Sequence, residues 1–233
     1  MKICYEGASA MTSVTPFRNG STSGFLHLPA GSPTGALVLT HGAGGNCQAP
    51  LLVAVATAFA SIGFTVLRCN LPFRQQRPHG PPFPAKAAED RQGLAEAVAE
   101  IRRIAPGRTF LGGHSYGGRQ ASILASENPG IADALLLLSY PLHPPNKPQQ
   151  LRTAHFPKLR TSAFFVHGTK DPFGTIEELQ AALELILVSS RLSIVDHTGH
   201  DLAQGRFDIA RLVIAPFIEK NAAPVLSDPD RSG

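Results

Sequence analysis

The sequence predicts an α/β fold, a mostly parallel central sheet with helices on both faces. Short apolar runs alternate with segments of helical periodicity, the pattern of strands joined through crossover helices. One run, residues 134–139, holds four consecutive leucines, as a strand covered on both faces requires. A Gly-x-Ser-x-Gly turn, Gly113-His114-Ser115-Tyr116-Gly117, falls where a predicted strand gives way to a predicted helix.

In chain order, Ala36-Leu37-Val38-Leu39-Thr40 reads as a buried strand ending in His-Gly. Residues 50–62 form a helix: Leu51, Val55, Phe59 and Ile62 share a face, and Pro50 suits its first position. Residues 64–67 give the next strand. A Pro-rich loop over residues 70–84 leads to a helix with Leu94, Ala97, Val98, Ile101 and Ile104 on one face. Thr109-Phe110-Leu111-Gly112 is a strand running into the serine turn, and the helix after it stops near Asn128-Pro129-Gly130. Residues 163–166 and 192–195 are two further strands. Between them Thr175-Ile176-Glu177-Glu178 opens a helix with a capping box. A last helix carries Ile209, Leu212, Val213 and Phe217, and the polar tail from Asn221 is expected to fray. No repeat or linker divides the chain, so residues 1–233 are expected to form one domain.

Composition narrows the function classes. With 43% hydrophobic and 16% charged residues the chain is that of a globular protein, not a disordered one. A net charge of +4, with Lys and Arg dispersed, argues against nucleic acid as a partner. Cys4, Cys47 and Cys69 have neither disulfide nor zinc spacing, and no cofactor or metal motif is present. The first seven residues lack the apolar run of a signal peptide, and residues 49–60, the most apolar stretch, are too short to span a bilayer. A cytoplasmic location is expected; the oligomeric state is left open.

The chemistry centres on Ser115. A serine on a tight strand-to-helix turn projects its hydroxyl above the sheet edge, and side chains at Gly113 and Gly117 would collide there. A hydroxyl becomes a nucleophile when a neighbouring base takes its proton, and the base needs a carboxylate to orient it. With the acid and the histidine following the serine in chain order, His200 is the base, lying after the last strand and before the last helix. His197 is the competitor. Asp171 is the acid, since it follows a buried strand and strand ends converge on the site. Asp133 precedes its strand, and Asp196 and Asp201 read as turn residues. The amide of Tyr116 and one from His41-Gly42-Ala43-Gly44-Gly45, Ala43 in preference to Gly44, would form an oxyanion hole.

These residues, with Tyr140-Pro141-Leu142-His143-Pro144-Pro145 and Phe165-Val166-His167-Gly168-Thr169-Lys170-Asp171-Pro172-Phe173-Gly174, resemble the α/β-hydrolase superfamily over nearly the whole chain. The dienelactone-hydrolase-like branch is the nearest in pattern, within it a group of small bacterial hydrolases. The resemblance implies a Ser115–Asp171–His200 triad without a cap domain. It implies a serine hydrolase acting on a small-molecule ester or thioester. Dienelactone hydrolases themselves use cysteine where this chain has Ser115, so dienelactone is not the expected substrate. Distant eukaryotic relatives act in assemblies, which makes a catalytically silent interaction module the alternative.

Two Pro-rich loops remain, residues 70–79 and 141–148. Arg74, Arg77 and His143 on them are the candidate substrate contacts, able to grip a carboxylate or phosphate beside the ester. The plainer reading is solvated charge on exposed loops.

Overall fold

In the computed structural model the described residues are 12–221. The reading of the first seven residues, Cys4 and the tail beyond Asn221 therefore lie outside them. Eight strands form one sheet in the order β1-β2-β4-β3-β5-β6-β7-β8. They are β1 (Ser13–Asn19), β2 (Thr22–Leu28), β3 (Gly35–Thr40), β4 (Phe64–Cys69), β5 (Thr109–His114), β6 (Ala134–Leu138), β7 (Ser162–Gly168) and β8 (Ser190–Val195). From β4 to β8 every pairing is parallel, while β1 pairs with β2, and β2 with β4, in antiparallel fashion.

The all-apolar runs became strands because both faces of the sheet are covered. Every residue of β3, β4 and β6 is buried. Along β6 the leucines alternate between two cores. Leu135 and Leu137 pack with Leu94, Val98 and Leu179 beneath α3 (Ala87–Ile104), α4 (Tyr116–Glu127) and α5 (Ile176–Leu183). Leu136 and Leu138 pack with Phe59 and Phe217 beneath α1 (Pro50–Ser61) and α6 (Ala215–Asn221). Each leucine so withdrawn contributes about 2 kcal/mol of transfer free energy, which pins the register against a one-residue slip. Pro50 does open α1, and the capping box at α5 is complete: Glu178 N–H donates to Thr175 Oγ1 at 3.2 Å and Thr175 N–H donates to Glu178 Oε2 at 2.8 Å.

Three elements differ from expectation. The hairpin β1–β2 carries no clean apolar alternation, because β1 is an exposed edge strand that tolerates Pro16. Gly24 in β2 is set by close approach, since a Cβ there would lie 1.9 Å from the Arg68 carbonyl oxygen. Part of the Pro-rich loop folds as a short helix, α2 (Pro72–Gln76), with Pro72 in its first turn. The last helix begins with a π-helical turn over Ala210–Ile214 before α6. Among the described residues no helix is long and apolar enough to cross a membrane, and no cap domain stands over the strand ends.

Candidate active site

Strand β5 ends at His114 and α4 begins at Tyr116, so Ser115 alone makes the turn, at φ 52° and ψ −117°. That conformation costs a non-glycine residue about 1–3 kcal/mol and persists only where the surroundings enforce it. Here Ser115 N–H donates to the Leu138 oxygen at 2.8 Å, and Arg119 N–H donates to the Ser115 oxygen at 2.9 Å. The flanking glycines are steric requirements. A Cβ on Gly117 would sit 2.5 Å from the His41 oxygen, and one on Gly113 2.7 Å from the Thr40 oxygen.

Three side chains from three separate loops meet at this turn. His200 Nε2 lies 2.7 Å from Ser115 Oγ, and His200 Nδ1 lies 2.8 Å from Asp171 Oδ2 and 3.0 Å from Oδ1. The Asp171 side chain is fully buried, and its Oδ1 also accepts from Phe173 N–H at 2.9 Å. A carboxylate can only accept, so Nδ1 carries the proton and the Nε2 lone pair faces the hydroxyl. The competitors are elsewhere. His197 is exposed at φ 59°, Asp196 is exposed, and Asp201 accepts from Ala203 N–H. Asp133 accepts from Thr109 N–H, at the start of β5.

Sequence reasoning missed the residues that hold this set in place. His114, the variable residue before Ser115, is pushed down to a pKa of about 4, chiefly by burial, and is therefore neutral. Its Nε2–H donates to the His200 carbonyl oxygen at 2.7 Å and fixes the backbone of the base. The Phe173 ring lies against the imidazole, with centroids 4.2 Å apart. Neither role leaves a signal beyond position in the chain. Tyr116 Oη donates to Asp90 Oδ2 at 2.7 Å, while Asp90 Oδ1 accepts from Phe73 N–H at 3.1 Å; this ties α4 to α2 and α3.

The loop after β3 is restrained from three sides. Neutral His41, its pKa lowered to about 4 mainly by burial, donates from Nδ1 to the Gly42 oxygen at 2.9 Å and accepts from Leu71 N–H at 3.1 Å. Gly45 N–H donates to the Gly42 oxygen at 3.1 Å. Arg74 donates to the carbonyl oxygens of Gly45 at 2.7 Å, Ala43 at 2.8 Å and Gly80 at 3.0 Å. These bonds all engage oxygens or side chains, so the Ala43 and Tyr116 amides are left beside Ser115 without an internal acceptor among the described residues.

The three side chains expected to contact substrate are all engaged by protein groups. Arg74 is buried, 7% exposed, and clamps the Ala43 loop instead of lining the cavity. Arg77 donates to the Pro81 oxygen at 2.6 Å and stacks over Phe83. His143 is buried between the Pro144 oxygen and Glu178. Proline-rich backbone has few N–H groups to satisfy its own carbonyls, and these side chains supply donors in their place. Arg74→Gln should then loosen the Ala43 loop and lower kcat about 10²-fold, the size of loss when one preorganised backbone donor is displaced, with a smaller change in KM. A rise in KM alone would return Arg74 to substrate binding.

The cavity over Ser115 has a volume of about 510 Å³, and its walls include Ala43, Phe173, Pro141 and the arginines Arg91, Arg119 and Arg152. A larger, more apolar cavity of about 640 Å³ lies at the other edge of the sheet, beside Phe64, Phe110 and α6, and no serine, cysteine or histidine lines it. A second serine–histidine contact, Ser122 Oγ to His155 Nε2 at 2.8 Å, is of another kind. The Ser122 hydroxyl donates to the Arg119 oxygen at 2.9 Å, so His155 must be the donor in that pair and cannot act as its base.

Comparison with known proteins agrees with this architecture. A family model described as an alpha/beta hydrolase domain matches residues 33–208. The fold is similar to that of TT1662 from Thermus thermophilus, at 18% identity and a TM-score of 0.73, over 91% of this chain and 99% of that one. Dienelactone hydrolase from Anabaena variabilis ATCC 29413 superposes with a TM-score of 0.66 at 19% identity, over 90% of this chain and 96% of that one. XC6422 from Xanthomonas campestris, described as a serine hydrolase without a lid, gives 0.65 at 16% identity, over 91% and 97% of the respective chains. Identities this low carry the likeness of fold alone, whereas the family model spans most of the sequence: the chain belongs to the α/β-hydrolase family.

Proposed function

We propose that this hydrolase cleaves a carboxylic ester or thioester by way of an acyl-enzyme on Ser115. The observation that carries the reading is the unbroken chain from Ser115 Oγ to His200 Nε2, 2.7 Å, and from His200 Nδ1 to Asp171, 2.8 Å. His200 accepts the hydroxyl proton as Oγ bonds to the substrate carbonyl carbon. Asp171 keeps the imidazole in the competent tautomer and stabilises the imidazolium that forms. The Tyr116 and Ala43 amides receive the negative charge that develops on the carbonyl oxygen. When the tetrahedral adduct collapses, the alcohol or thiol departs with the proton from His200. Water, deprotonated by the same nitrogen, then releases the acid and restores Ser115. Likeness of fold to a dienelactone hydrolase and a lidless serine hydrolase is in keeping with this chemistry. A reducing cytoplasm suits the free, buried thiols of Cys47 and Cys69.

Reaction with a fluorophosphonate tests the nucleophile before any substrate is known. The intact protein should gain one adduct mass, mapped by peptide sequencing to Ser115. Folded protein that stays unmodified would point to the interaction-module reading instead.

A further inference from the structure

The wall of the Ser115 cavity is chemically lopsided. Three of its residues, Arg91, Arg119 and Arg152, are arginines, and no Asp or Glu is among them. Arg91 is already matched: its Nε donates to Glu127 at 2.8 Å and its Nη1 to Gln120 Oε1 at 3.1 Å. Arg119 and Arg152 are both half-buried, and neither has a carboxylate partner among the described residues.

Each is aimed by fixed backbone. Arg119 lies in the first turn of α4, where its N–H donates to the Ser115 oxygen at 2.9 Å, and its side chain lines the same cavity as Ser115. Arg152 is held on both sides of its peptide, its N–H donating to the Leu142 oxygen at 2.8 Å and its own oxygen accepting from Tyr140 Oη at 2.6 Å. Burial and the charge of Arg119 together hold the Arg152 guanidinium below its usual pKa. The two cations thus face a common space and repel each other across it.

A further donor sits in the same wall. Arginine cannot accept a hydrogen bond, so the Gln120 atom facing Arg91 must be the oxygen, which leaves the amide nitrogen on the other side. Gln120 is fully buried, and that Nε2 has no partner among the described residues. Arg152 Nη1 donates only to the Pro141 oxygen, at 3.4 Å, and the buried Arg119 Nε, like Gln120 Nε2, has no partner among the described residues, so the wall holds donors awaiting acceptors.

We infer that Arg119, Arg152 and Gln120 form an anion subsite, so that the substrate carries a carboxylate or phosphate group close enough to its scissile carbonyl to share this one cavity with it. The inference rests on Ser115 being the nucleophile. Nothing in it depends on Arg74 or Arg77, whose guanidinium groups hold backbone carbonyls. The prolines and Phe173 on the remaining wall suit the short apolar link between ester and anion.

Binding and turnover are read separately. Ser115→Ala protein, which cannot form an acyl-enzyme, is titrated calorimetrically with monomethyl glutarate, with methyl 3-phosphonopropanoate, and with uncharged dimethyl glutarate. At least one anion should bind about 10- to 100-fold more tightly than the diester, the range of a hydrogen bond to a charged group. Raising the salt concentration should shrink that preference. Arg119→Gln and Arg152→Gln in the same background should each remove most of it, with circular dichroism confirming the fold. Equal affinity for all three probes, or a preference untouched by both substitutions, overturns the subsite. Fluorophosphonate labelling of Ser115 in the wild-type protein, which needs no anion on the reagent, measured alongside, judges the serine-hydrolase reading alone. Anion binding to the Ser115→Ala protein with no labelling of the wild type would sustain the subsite and sink the hydrolase.

Discussion

Ser115→Ala is expected to abolish fluorophosphonate labelling and to lower ester turnover by about three to six orders of magnitude, with the fold retained. The size of the loss follows from what remains. The His200–Asp171 pair and the Tyr116 and Ala43 amides stay in place, so under the proposed mechanism the variant still binds substrate and polarises its carbonyl. It must then use water in place of a hydroxyl held 2.7 Å from the base. Stability should change little. Alanine meets the same positive φ as serine, and the bond from the residue 115 amide to the Leu138 oxygen does not involve the side chain. Melting curves of the two proteins should therefore nearly coincide. The other serine in a histidine pair, Ser122, gives no route of escape: it is fully buried and donates to a backbone oxygen. Turnover within tenfold of wild type would place the nucleophile elsewhere.

How far the sequence discloses this architecture depends on whether local chemistry and tertiary context agree. The leucine run of β6 could only be a strand covered twice, and Thr175 with Glu178 marked the start of α5 to the residue. The hairpin β1–β2 stayed hidden because an edge strand needs no buried face. Gly24 resembles a breaker until β4 is seen passing 1.9 Å from its missing Cβ. The short helix α2 was masked by the Pro-rich loop around it, although Pro72 occupies a position in the first turn where a missing N–H costs nothing.

At the site the same division holds. Ser115, Asp171 and His200 were legible because chain order and strand ends restrict where each can fall, and the structure places them within hydrogen-bonding distance. His114, His41 and Asp90 were not, because each acts by a contact with residues far away in sequence. The arginines show how charge misleads. Arg74 and Arg77, conspicuous in a Pro-rich loop, are engaged by carbonyls of that loop and its neighbour. Arg119 was inconspicuous inside a helix, yet the fold brings it to the wall of the Ser115 cavity with a buried, unpartnered Nε.

Asp171→Asn should cut turnover by about 10³- to 10⁴-fold, the loss that follows when the histidine is held in the wrong tautomer. The surroundings of Asp171 dictate which way the new amide turns. Phe173 N–H donates to Oδ1 at 2.9 Å, so the amide oxygen must stay there and the NH₂ group must take the place of Oδ2. That NH₂ then faces His200 Nδ1 at the position now 2.8 Å away. A donor in that place requires Nδ1 to be the acceptor, which moves the imidazole proton to Nε2. His200 would then donate to Ser115 Oγ and could no longer take its proton. Heteronuclear NMR of the imidazole nitrogens should show this exchange directly, with protonated Nδ1 in the wild type and protonated Nε2 in the variant at neutral pH. Asp196→Asn and Asp201→Asn serve as controls: both carboxylates are exposed, and each change should alter turnover by less than about threefold. A severe loss at Asp196 with a mild one at Asp171 would transfer the orienting role to Asp196. Loss of turnover at Asp171 with Nδ1 still protonated would instead assign the effect to the charge that Asp171 contributes in the transition state.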